Sequence, residues 1–305
     1  PDIIGISSES NGTLRLSEVK EATGYSVHFD GDLDESFKNL STIDHIYPKI
    51  ATSGTTVAVL AEANYYNDNR TIYVMSSGTS ATKTIIRLKA PTFPDGALST
   101  GTSLSWNAPS NINTNSKNVT YVLLKNGLEV NDPTVATQYS LDFLSAGNYT
   151  FTVKAKVNNY SFTGTTAFVD SEESDPISFT KLTTPELEID RTGRCYTWQS
   201  VPSATSFVLE IDGKKVSSDF NVSGGIYTYT PHFSTEGAHI VKLKAVGNGK
   251  TNIDSNAFEY SQTVKKLTKP AATYTYSSDR VDTHNGSITV TVTTPSEPCT
   301  RYRYY

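Results

Sequence analysis

Side chains able to do chemistry are scattered in this chain. The densest acidic run, Asp30-Gly-Asp32-Leu-Asp34-Glu35, has the alternating carboxylates that open a calcium-binding loop and converge there on one cation. It departs from that pattern where Glu35 holds the glycine position and Ser41 the bidentate glutamate position. Asp30 is already explained as half of an Asp-Gly turn. A second run, Asp170-Ser-Glu172-Glu173-Ser-Asp175, reads as a solvated loop rim. His28, His45, His232, His239 and His284 lack the His-x-x-x-His spacing that places two imidazoles on one helical face. No Gly-x-Ser-x-Gly elbow, phosphate-binding glycine loop or cysteine with a matched histidine motif is present. The expectation is a chain without catalytic residues, cofactor or metal ligands, and not an enzyme. A glycosidase carboxylate pair is spatial rather than sequential, so spacing is silent on it.

Tyrosine is the remaining functional clue. Among 18 Tyr, Tyr65-Tyr66 and Tyr160 fall in loops that follow a recurring strand, a position that sandwich domains use for recognition. An exposed Tyr stacks on a sugar or anchors a protein partner at low entropy cost. It serves equally in solvent-facing cross-strand pairs. Tyr65, Tyr66 and Tyr160 are therefore candidate ligand-contact residues, with both uses open at this point.

The elements that would position them are strands. Hydrophobic residues make up 36% of the chain and charged ones 19%, on a background of Ser, Thr and Asn, and the abundant Tyr and Thr favour extended backbone. A balance of 26 basic against 31 acidic residues, net −5, with no basic block, argues against a nucleic-acid or anionic-membrane partner, because both need clustered Lys and Arg. No run approaches the roughly 18 apolar residues of a membrane span. Cys195 and Cys299 stand far apart in different repeats and are expected to be unpaired, which excludes a disulfide scaffold.

Self-similarity organises the rest. Pro1, Pro91, Pro185 and Pro270 recur about every 90 residues, the last three as Leu88-x-x-Pro91, Leu182-x-x-Pro185 and Leu267-x-x-Pro270. Each repeat then has a strand with a large apolar residue: Leu14-Arg-Leu16, Leu104-Ser-Trp106, Tyr196-Thr-Trp198. An aromatic strand follows, ending in a hairpin turn at Asp30-Gly31, Asn126-Gly127 or Asp212-Gly213. A second alternating strand reads Val57-x-Val59-x-Ala61, Phe151-x-Val153-x-Ala155 and Val241-x-Leu243-x-Ala245. Alternate residues share a face, so these positions should pack against Leu16, Trp106 and Trp198, giving each repeat its own core.

Short strands, an early Trp and a central hairpin are the arithmetic of a β-sandwich. The runs Leu104-Ser-Trp106-Asn-Ala-Pro, Tyr121 to Gly127, Ser145 to Ala155 and Asp170 to Pro176 resemble tandem fibronectin type III-like or immunoglobulin-like repeats of Firmicutes surface proteins and of their phages' tail or fibre proteins. The resemblance covers residues 1 to about 269 and is weakest in the first repeat, where Leu16 stands at the family's Trp position. It implies an all-β chain of sandwiches at 1–90, 91–184 and 185–269, placed end to end as an extended rod, with an incomplete fourth β domain at 270–305. Strands near 287–293 and 300–305 would need chain beyond Tyr305, or a neighbouring subunit, to complete them, and more sequence is expected before Pro1.

Such modules are spacers and adhesive units without family-wide catalytic residues. The expected role is a non-enzymatic structural or adhesive segment, extracellular, at a bacterial surface or on a phage virion. Its partners would be neighbouring domains or subunits and a host glycan or surface protein. The competing reading is a carbohydrate- or protein-recognition module, accessory to a larger secreted enzyme.

Overall fold

The computed structural model describes residues 1–7, 12–63, 65–66, 72–73, 78–99, 101–112, 119–130, 132–158, 162–189, 195–216, 220–266, 271–277 and 287–292. They fall into two units: Pro1–Thr184 with Val201–Ser206 and Ala245–Asn256, and Pro185–Ser200 with Phe207–Lys244 and Ala257–Tyr305. The chain is all-β. Two short 3-10 turns, Glu35–Phe37 and Tyr47–Lys49, are the helical elements among the described residues, and none of these helices is long and apolar enough to cross a membrane.

In the first repeat the strands are β1 (Ile3–Ser7), β2 (Thr13–Leu16), β3 (Gly24–Phe29), β4 (Asp32–Leu33), β5 (Thr55–Glu62), β6 (Tyr65–Tyr66), β7 (Ile72–Tyr73) and β8 (Lys83–Arg87). The second has β9 (Ser103–Ser105), β10 (Val119–Lys125), β11 (Leu128–Glu129), β12 (Gln138–Ser140), β13 (Gly147–Val157), β14 (Thr166–Val169) and β15 (Ile177–Lys181). The third has β16 (Glu188–Ile189), β17 (Tyr196–Gln199), β18 (Ser206–Ile211), β19 (Lys214–Lys215), β20 (Asn221–Ser223), β21 (Ile226–Tyr229), β22 (Gly237–Val246), β23 (Asn252–Ile253) and β24 (Phe258–Val264). Beyond it β25 (Ala272–Ser277) pairs antiparallel with β26 (Ser287–Val292). The expected strand at 300–305 lies outside the described residues.

One sheet recurs three times: β4-β3-β5-β8, β11-β10-β13-β15 and β19-β18-β22-β24. Smaller sheets accompany them, β1-β2, β9-β12 and β16-β17-β21-β20, in the layered arrangement of immunoglobulin-like and fibronectin type III-like sandwiches. The central hairpins form where the sequence places them. Asp30, Asn126 and Asp212 have φ of 53°, 51° and 50°, each followed by a glycine also at positive φ, as a two-residue I′ turn demands. The side chains do more than permit the turn. Each Oδ1 accepts the N–H of a residue on the adjacent strand, Thr56, Thr150 or Ile240, at 2.8 to 3.0 Å. One acid or amide thus clamps the hairpin to the next strand in all three repeats.

The alternating positions Val57, Val59 and Ala61, Phe151, Val153 and Ala155, and Val241, Leu243 and Ala245 are buried. So are Trp106 and Trp198, at 4% and 2% exposure, each edge-on to an aromatic of the other sheet, Tyr121 on β10 or Phe207 on β18. Their Nε1 atoms find no hydrogen-bond partner among the described residues, so the indoles serve by volume. In the first repeat Leu16 keeps the register of Trp106, with Ser17 N donating to Asp2 O as Asn107 N donates to Thr92 O. It is only partly buried, however, and Leu14, at the place of Leu104 and 5% exposed, fills the core more deeply. Both leucines share a strand face, and Leu16 sits at the strand end, where less packs over it.

A second correction concerns the cores. Ala167 and Val169, from the second repeat, lie in the core built on Val27, Val57, Val59 and Ile85 of the first. Ile253 lies in the core built on Trp106, Phe151 and Phe179. The first and second repeats therefore do not fold on residues of their own alone.

Candidate functional site

Tyr65 and Tyr66 form β6, paired with β7 so that Tyr65 stands opposite Tyr73 and Tyr66 opposite Ile72. Tyr160 lies outside the described residues. The carboxylates of the first acidic run diverge. Asp30 is the turn clamp, and Asp34 caps the 3-10 turn through Ser36 N and pairs with Lys49 Nζ at 2.6 Å. The bonds from Lys49 and Ser36 hold the Asp34 carboxyl at about 2, well below the usual carboxylate range. No group of three or more His, Cys, Asp or Glu able to hold a metal occurs among the described residues. Cys195 Sγ lies 3.5 Å from Thr230 Oγ1, and Cys299 is outside the described residues.

The second acidic run is a solvated rim only in part, at the exposed Glu172, Glu173 and Asp175. Asp170, Ser171 and Ser174 are buried, and they belong to the most elaborate constellation in the first unit. Its backbone element is β14, which leaves its own repeat and adds in parallel to the outer edge of β8, with Thr166 opposite Thr84 and Val169 opposite Arg87. Thr84 N donates to Thr165 O at 2.7 Å and Leu88 N to Val169 O at 3.0 Å. The same construction recurs one repeat later. β23 adds in parallel to β15, with Thr180 opposite Asn252 and Lys181 opposite Ile253. Thr180 N donates to Thr251 O at 2.9 Å and Leu182 N to Ile253 O at 3.2 Å. An edge strand that would present unpaired donors and acceptors is covered at each seam.

Crossing to another sheet leaves part of the crossing segment's own scaffold strand without a ladder partner, and buried N–H groups must be bonded somewhere. Side chains supply the bonds. After the apolar anchor comes Asp-Ser at both seams, Val169-Asp170-Ser171 and Ile253-Asp254-Ser255. Asp170 Oδ1 accepts Val157 N at 2.9 Å, and Asp254 Oδ1 accepts Gly247 N at 3.0 Å. Ser171 Oγ accepts Ala155 N and Ser255 Oγ accepts Ala245 N, both at 2.9 Å, while the serine N–H groups return bonds to the carbonyls of the same alanines. Ser174 binds Val153 in this way, and Ser80 binds Val59. A short hydroxyl that accepts from a strand N–H and donates back to a nearby carbonyl is well suited to the switch.

Further ties are specific to each seam. At β8, Arg87 pairs with Glu172, and Asn111 Nδ2 donates to Thr52 O at 3.0 Å and Arg87 O at 2.9 Å. At β15, Lys181 is 2% exposed and its Nζ donates to Leu141 O at 3.1 Å. Gly101, at φ +71°, lies so close to Asp254 that a Cβ there would stand 2.7 Å from the carboxyl carbon. Asn256 Nδ2 donates to Leu144 O at 3.1 Å. The constellation fastens backbone to backbone across sequence repeats.

The chain matches no protein-family model and no curated protein sequence. Solved structures similar to it include the central fibronectin-III array of RIM-binding protein, at 18% identity over 86% of this chain and 97% of that one, TM-score 0.21. The chicken CNTN1 FN1-FN3 domains match at 11% identity over 87% of this chain and 99% of that one, TM-score 0.25. The Clostridium thermocellum CbhA fibronectin(III)-like modules match at 15% identity over 59% and 88%, TM-score 0.22. TM-scores this low carry no weight for this chain, whose all-β architecture rests on its own sheets.

Proposed function

We propose that this chain is a non-enzymatic structural segment, a spacer or display element of an extracellular bacterial surface protein or phage virion, built from tandem sandwich repeats at 1–90, 91–184 and 185–269 with β strands of a further domain after them. The observation that carries the reading is the seam made twice, in which a crossing strand, its apolar anchor and its Asp-Ser pair join consecutive repeats. A module that only had to present a binding loop would need no such fastening, whereas a load-bearing row gains from backbone pairing that must shear before repeats part. Pulling the chain by its ends in a single-molecule instrument tests this. Unfolding should begin away from the seams, and weakening a seam should lower the force of the repeats it joins; independent repeats would be indifferent to it.

A second reading, recognition of a glycan or surface protein, is favoured by β6 and β7, a two-stranded ribbon separate from the main sheets that carries Tyr65 and Tyr66. Tyr160 belongs to the same reading. Binding on a glycan array that is lost in Tyr65→Ala/Tyr66→Ala would establish it, and a blank array across the common surface polysaccharides would remove it.

A further inference from the structure

The third repeat has an acceptor strand of the same kind as β8 and β15. Counting back from each Leu-x-x-Pro, Thr84 corresponds to Ser178 and Thr263, Ile85 to Phe179 and Val264, and Arg87 to Lys181 and Lys266. In the first two repeats these strands lie under a crossing segment. Ile85 and Phe179 are buried, and so is Lys181. In the third, β24 ends the sheet β19-β18-β22-β24, and no strand pairs with its outer edge among the described residues. Its side chains register the difference: Val264 is only partly buried, and Lys265 and Lys266 are exposed.

We propose that the outer edge of β24 is a docking site for an extended segment added in parallel, supplied by a further module of the same kind. The occupant's chemistry follows from the seams already built. It carries an apolar anchor at the place of Val169 and Ile253, then Asp-Ser. An acidic residue after them, as at the β8 seam where Arg87 meets Glu172, suits the exposed Lys266, whereas at the β15 seam the buried Lys181 meets Leu141 O and Asn256 follows Ser255. Thr263 and Lys265 supply the edge N–H groups, as Thr84 and Thr180 do in the earlier repeats. Main-chain bonds bind such a segment, and the alternate side chains select it. The site deepens the spacer reading and rests on it, because it makes the row extensible by the seam the chain uses internally.

The probe is a synthetic, end-blocked peptide of residues 163–172, titrated to millimolar concentration into the isotope-labelled 305-residue protein. The expected result is saturable chemical-shift change along β24 and roughly tenfold slower amide exchange at Thr263 and Lys265. Both effects should vanish for the same peptide with Ala167→Pro, which removes an N–H that faces the acceptor strand in the register of the β8 seam. No change at β24 up to the solubility limit, or change confined to β8 and β15, overturns the proposal. So does protection of β24 without peptide that grows with protein concentration, which would make the edge an interface between copies of this chain. Any of these failures leaves the two internal seams standing, and the spacer reading fails separately, through the pulling experiment.

Discussion

The two seams of the first unit reach the same end by different means. The β14–β8 seam is four residue pairs long and rimmed by the ion pair of Arg87 with a largely exposed Glu172. The β23–β15 seam is two pairs long and buries Lys181, whose ammonium is met by Leu141 O. What they share is narrower than what they vary: one apolar residue in the neighbouring core, then Asp-Ser folded back onto the scaffold strand. The fastening therefore resides in the anchor and the Asp-Ser pair, and the charges are local adjustments. Burying an aliphatic anchor stabilises by about 1.5–3 kcal/mol, whereas an exposed ion pair gives at most about 1 kcal/mol.

The strongest way to break the comparison is at the anchors. Ile253→Ala should destabilise the core around Trp106 by about 2–5 kcal/mol, and Val169→Ala should cost the first repeat about 2 kcal/mol. Urea unfolding followed by Trp106 fluorescence, with Trp198→Phe as background, measures the first; an unchanged midpoint would contradict it. Next come the hydroxyls. Ser171→Ala and Ser255→Ala each leave a buried alanine N–H without its acceptor, at about 1–3 kcal/mol. The two losses should be alike despite the different lengths of the seams, and a large inequality would mean that length matters more than the Asp-Ser pair.

The hairpin clamps offer a comparison inside the second unit and beyond it. Asp212 Oδ2 lies 2.7 Å from Nδ1 of the buried His239, whose Nε2 faces Thr235 O, with Phe233 against the ring and Lys214 near the carboxylate. The bond from Asp212 raises the His239 pKa, and the bond from His239 lowers that of Asp212. A raised histidine contributes stability that is full below its ordinary value and lost as pH rises through the folded one. A lowered carboxyl contributes above its ordinary value and is lost as pH falls through the folded one. The pair is therefore most stabilising between about pH 4 and 6.5. Thermal unfolding read by Trp198 should show a falling midpoint from about pH 6.5 upward. Asp212→Asn should flatten it while keeping the clamp, as Asn126 does in the second repeat. A slope unchanged by Asp212→Asn would assign the pH dependence elsewhere. The smallest effect belongs to Glu172→Gln, below about 1 kcal/mol and erased by about 1 M salt. A larger loss would raise the ion pair to the rank of the anchors.

Much of the sandwich was legible because its signals are local. Alternation in Val57 to Ala61, Phe151 to Ala155 and Val241 to Ala245, the three turn dipeptides and the buried Trp106 and Trp198 all report on near neighbours. The seams were not legible by that route. β23 pairs over two residues, too short for periodicity, and its partner lies some seventy positions away, where parallel pairing leaves no hairpin signature. Asp170, Ser171 and Ser174 were read with the exposed Glu172, Glu173 and Asp175 as one rim because polar side chains that replace ladder bonds have the composition of a loop. Two signals in the sequence could have found them: Val-Asp-Ser matching Ile-Asp-Ser, and a basic residue before each Leu-x-x-Pro, at Arg87, Lys181 and Lys266. That Leu14 lies deeper than Leu16 was not legible, because alternation cannot tell which of two residues on one face is the more covered.

The central claim is that a crossing strand makes consecutive repeats depend on each other, and hydrogen exchange in Trp106→Ala tests it directly. Removing the indole should destabilise the second repeat by about 3–5 kcal/mol. The prediction is that the Thr84 and Leu88 amides, which lie in the first repeat but are bonded to Thr165 O and Val169 O, lose protection together with β13. If Thr84 and Leu88 kept their wild-type exchange rates while β13 exchanged freely, the crossing strand would be a passive contact and the account would be wrong.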